Sequence, residues 1–106
     1  MTSEEFVIGF YKEREHLMNL YFHSESETEV GQMIQSLQLD EERVKVLKQI
    51  MNGAIRDVMY TILLGLDGEA AIGDRQEPYR LMDEDNNELT GGEIESCAWE
   101  YFQNRE

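Results

Sequence analysis

Asp83, Asp85 and Asn87 stand two residues apart in the stretch LMDEDNNELTGGEIE, the spacing of the first three oxygen ligands in an EF-hand calcium loop. Such a loop also needs glycine at its sixth position and a bidentate glutamate at its twelfth. Counted from Asp83, those positions hold Glu88 and Ile94. The stretch therefore reads as a turn and not as a metal site. Glu13 and His16 lie three apart, the spacing of each half of a di-metal site in helical bundles, and His23 follows on the same helix side. The second half is missing, so no metal ligand set is expected. Cys97, the single cysteine, falls beside Ile94 and Ala98 on an apolar helix side, where a thiol acts as a small hydrophobe and not as a nucleophile. Neither a Gly-x-Ser-x-Gly turn nor a phosphate-cradling glycine loop occurs. The expectation is a protein that binds, with no cofactor and no catalytic centre.

Helical segments must carry these residues. Thr2 and Glu5 form a capping-box pair ahead of a segment with Val7, Phe10, Tyr11, Leu17, Met18 and Tyr21 on one stripe. Ser24 and Glu27 offer a second capping box, leading into a short helix with Val30, Met33, Ile34 and Leu37 expected inward. Asp40 caps a third, in which apolar residues recur every three or four positions from Val44 to Leu66. Around and beyond Leu66, GLDGEAAIGDRQEPY holds three glycines and the only proline within fifteen residues, so helix should stop there. EAAIG, PYRLMD and ELT read as short strands, with Glu84-Asp85-Asn86 as a three-residue loop that opposes Leu81 to Leu89 and places Asn86 in the left-handed region. Thr90 and Glu93 make a last capping box before GEIESCAWEYFQ. The expected fold is α+β and predominantly helical: three N-terminal helices, a small antiparallel hairpin or meander, and a C-terminal helix, all in one domain spanning 1–106.

Charge narrows the partners. The chain carries 23 acids, nine bases and a formal charge of −14, which disfavours direct contact with nucleic acid or anionic membranes. Residues 65–106 hold twelve acids and three bases, net −9; residues 1–64 hold eleven and six, net −5. A cationic protein partner fits that excess. One cysteine and no recognisable export signal suit a reducing cytoplasm, and the longest apolar run, MYTILLGL, is too short to cross a bilayer.

Tyr79, Trp99, Tyr101 and Phe102 lie in or near the acidic part, and aromatic anchors among acids are a common protein-binding arrangement. The helical stripe assigns Tyr101 and Phe102 to the core. Trp99 falls off it and is either a groove-filling core residue or an exposed anchor. The stretch LLGLDGEAAIGDRQEPYRLMDEDNNELTGGEIESCAWEYF, with the small size, acidity and single cysteine, resembles in type the immunity proteins of bacterial toxin–immunity systems. That resemblance implies a cytoplasmic antidote that occludes a toxin, often a basic nuclease, by stoichiometric binding. The partner-binding residues expected are Asp67, Glu69, Asp74, Glu77, Asp83, Glu84, Asp85, Glu88 and Trp99. A DNA-mimic inhibitor of a restriction or defence enzyme is the alternative, followed by a small acidic adaptor or chaperone. The oligomeric state stays open.

Overall fold

Thr2 starts the first helix by satisfying two otherwise unpaired backbone donors at once: its hydroxyl accepts from Glu5 N at 3.1 Å while the Glu5 carboxylate accepts from Thr2 N at 2.9 Å. The computed structural model describes residues 1–105. From that cap α1 runs Ser3–Tyr21, and its buried positions Ser3, Val7 and Arg14 lie on one face. Helix α2 spans Glu29–Ser36 and starts later than the Ser24 box predicts. Its cap is Thr28, whose hydroxyl accepts from Gly31 N at 2.9 Å. Ser26 folds against Thr28 and leaves no room for a Cβ at Gly31, which fixes the start at this register.

Asp40 caps α3, Glu41–Leu66, by accepting from Arg43 N at 2.9 Å. At 26 residues α3 is about 39 Å long and is the spine of the molecule. Helix α4 covers Glu93–Trp99 and continues into a π-helical turn, Glu100–Asn104, that buries Phe102. The core lies where the start of α1, the end of α3 and α4 converge, and consists of Val7, Leu63, Leu89, Ile94, Ala98 and Phe102. The Arg14 guanidinium lies over the Tyr11 and Phe102 rings, at 5.3 and 5.1 Å from their centres. The opposite end is thin. The extents are 47 × 28 × 25 Å and the radius of gyration is 16.2 Å, against about 13 Å for a compact chain of similar length.

The α+β expectation is overturned: the fold is 62% helical and has no strand among the described residues. Only isolated bridges occur, Ile72 with Arg75 and Met82 with Glu88. Side chains take the donors that a ladder would use. Leu81 N donates to the Thr90 hydroxyl at 3.1 Å, and the N–H groups of Asp85 and Asn87 both go to the Asp83 carboxylate. Pro78 has no N–H to give. Leu89 N does reach Leu81 O at 2.8 Å, and Asn86 does take a positive φ of 65°. The turn is there without the hairpin. On α2, Val30, Met33 and Leu37 face outward, as does Val58 on α3, so the inward stripe foreseen for them is also corrected.

Candidate functional site

A negative charge at the end of a helix is unfavourable against the helix dipole, yet Asp67 follows the last residue of α3. The geometry resolves the conflict. Asp67 points at the start of α4, where a negative charge is favourable, and its two carboxylate oxygens accept from Gly91 N and Glu95 N, each at 2.9 Å. The capping box foreseen between Thr90 and Glu93 does not form: the cap position is Gly92, at φ 110°, with no side-chain bond. One acid thus ends α3, starts α4 and closes the base of the acidic segment between them.

That segment is folded back on itself. Gly68, at φ 77°, brings its backbone so near Pro78 that a Cβ would lie 3.2 Å from the proline Cα, and Gln76 Nε2 donates to Gly68 O at 3.0 Å. Residues 71–80 are all exposed. Within this frame the expected binding acids divide into three kinds. Asp67 and Asp83 are occupied by the fold. Glu77 and Glu88 form exposed ion pairs, with Arg75 at 3.7 Å and Arg80 at 3.3 Å. Glu69, Asp74, Glu84 and Asp85 are exposed and hold no ion pair among the described residues.

Asp83 sits at the neck of the turn. Its Oδ1 accepts from Asp85 N and Asn87 N, both at 2.9 Å, and its Oδ2 from Asn87 Nδ2 and the Met1 amino group, both at 3.0 Å. These donors, the Asn87 side chain foremost, hold its carboxyl well below the usual carboxylate range. Its side chain is only 10% exposed, and its lone pairs face N–H donors. That orientation makes it a structural acid.

Trp99 is 51% exposed on α4, one turn after Glu95, so its position is that of a surface residue. Burial pushes the Cys97 thiol up, and Glu4, Glu93 and Asp67 push it the same way, which keeps it protonated. His16 and His23 are exposed, and His23 Nδ1 accepts from Glu25 N at 3.0 Å. No three His, Cys, Asp or Glu side chains among the described residues converge in a way that could hold a metal ion. No helix among them is long and apolar enough to cross a membrane.

Sequence reasoning missed the structural roles of Asp67 and Arg14. The signal for Asp67 was its own misplacement at a helix end; for Arg14 it was an arginine spaced three and seven residues from Tyr11 and Val7 on the buried stripe. No protein-family model, curated protein or solved structure matches this chain.

Proposed function

We propose that this protein is an antidote of the immunity-protein type: a cytoplasmic binding protein that neutralises a basic toxin, a nuclease in the first instance, by occluding it one to one. The observation that carries this reading is the set of exposed acids without ion-pair partners among the described residues, Glu69, Asp74, Glu84 and Asp85, on a segment held by the hydrogen bonds of Asp67 and Asp83. Such acids lose little by meeting a partner's lysines and arginines, because no intramolecular pair has to be broken first. Glu77 and Glu88 can exchange their exposed arginines at small cost, and Trp99 supplies the aromatic anchor that binding sites of this kind use. A nuclease must display cations to grip phosphate, and a fixed acidic loop competes for those same cations.

The elongated outline, 47 Å in its longest extent, favours one second reading, the DNA mimic. It requires acids spaced like phosphates along one face. The two readings separate in a single experiment: capture the native partner and challenge the complex with duplex DNA. Under the first, the partner is a toxic basic protein and its association rate falls steeply with salt. Replacing Glu69, Asp74, Glu84 and Asp85 together by lysine weakens the complex at least tenfold while far-UV circular dichroism is unchanged. An acidic partner, or binding indifferent to the four replacements, would overturn the proposal.

A further inference from the structure

Seven large apolar residues lie in the open along α3 and its two flanking segments: Val46 (53% exposed), Ile50 (61%) and Val58 (59%) on α3, Val30, Met33 and Leu37 on and just after α2, and Ile72 beyond α3. On α3 they follow the one row of residues four apart, Val46, Ile50, Ala54 and Val58, that forms a ridge for packing against another helix. The same face ends in charges of opposite sign. Arg43 lies seven residues before Ile50 and Asp57 seven after, each about two turns away. Their intramolecular partners are near neighbours at the surface, Asp40 at 3.0 Å and Arg56 at 3.4 Å.

We infer that α3 is the two-fold interface of a homodimer, in which two copies pack their α3 helices antiparallel with Ile50 against Ile50. A two-fold axis at Ile50 sets Arg43 of each copy opposite Asp57 of the other, and Val46 opposite the small Ala54. That pairing of charges is self-complementary, and the large-to-small match lets the ridges interdigitate. A second copy is also the occupant that the charge distribution admits. Helix α3 carries four bases against three acids within a chain of net −14, so two copies repel least there. One helix pair alone falls short of the roughly 1,600 Å² of a standard interface. The remaining area comes from α2. Leu37 and Met33 line a groove with Leu47 in the first half of α3, whereas Val58, Ile62 and Ile72 line another on the same side of its second half. Reversing one helix against the other brings the α2 groove of each copy onto the Ile72 groove of its mate.

Sedimentation equilibrium of the full chain at about 10 to 100 μM tests the assembly, the expected mass being twice 12.4 kDa. Ile50→Asp should give the single-chain mass with unchanged helicity. Arg43→Asp and Asp57→Arg should each weaken the dimer at least tenfold, and the two together should restore it. The register has its own readout. In a Cys97→Ser background, Ile50→Cys should cross-link to itself under oxidised glutathione, and Trp99→Cys should not. If Ile50→Asp fails to fold, the paired charge reversals and the cysteine still decide. A monomer throughout the range, a double reversal no better than the single ones, or cross-linking through position 99 in preference to 50 overturns the inference.

Discussion

The two ends of α3 share an apolar periodicity and meet opposite fates. At the C-terminal end, Leu63 is fully covered because α1, α4 and Leu89 enclose it. At the N-terminal end, Val46 and Ile50 stay open because α1 ends at Tyr21 and the eight residues of α2 cover one side only. A stripe of leucines and valines therefore states that a helix will be covered, and not by what. Whether the cover comes from the same chain depends on how many other elements reach it, which here is settled by the lengths of α1 and α2.

The contrast can be broken most forcefully in the core. Phe102→Ala should cost about 3 to 5 kcal/mol by urea denaturation, from lost contacts and the cavity left beneath Arg14 and Tyr11. Ile50→Ala, measured below the concentration at which chains associate, should stay within about 0.5 kcal/mol of the parent. Similar losses at the two positions would show that both ends are equally covered within one chain.

Next in size comes the link between α3 and α4. Asp67→Ala removes both acceptors for Gly91 N and Glu95 N and should cost about 1 to 2 kcal/mol, whereas Glu69→Ala, two residues on and exposed, should change little. Amide exchange should locate the loss: α4 should open more often while the first half of α3 keeps its protection. The neck of the acidic turn responds to pH. The folded-state pKa of Asp83 is depressed, so its contribution to stability is present above the ordinary carboxylate value of about 3.9 and is lost as pH falls below it. The parent's melting temperature should drop below that pH, and Asp83→Asn, less stable at neutral pH, should show a shallower acid fall. Smallest is the turn itself. Asn86→Gly should be neutral or slightly stabilising at φ 65°, while Asn86→Val should cost on the order of 1 kcal/mol.

The sequence was most legible where structure is local. Thr2 and Asp40 cap as their spacing implies, and α3 ends after Leu66 as the glycines require. Asn86 adopts the conformation that its loop position suggests. Legibility fell where a polar group had two suitors. Thr90 stands where a helix cap is expected, yet its hydroxyl takes Leu81 N, 9 residues away, and leaves α4 to an acid 28 residues from Glu95. That exchange also removes a ladder donor and with it the hairpin. In the acidic segment, composition identified a charged surface but not which carboxylates would turn inward: Asp67 and Asp83 look like Glu69 and Asp85 until the N–H groups around them are placed. The helix faces followed the same rule, since the periodicity that marks Met59 and Val58 alike says nothing of which one the single chain can cover: Met59 packs against the core and Val58 stays open.

The tie from Asp67 to Gly91 has a consequence for how this molecule can change over generations. With the base of the segment fastened and residues 71–80 carrying no buried side chain, insertions and deletions that spare Ile72 and Gln76 meet chiefly the entropy of closing a longer loop, about 0.6 kcal/mol for each doubling of its length. The helices need no compensating substitution. Descendants of this chain are free to lengthen, shorten or recharge that stretch, and the variation between lineages should gather there while Asp67, Gly91 and Glu95 stay in register.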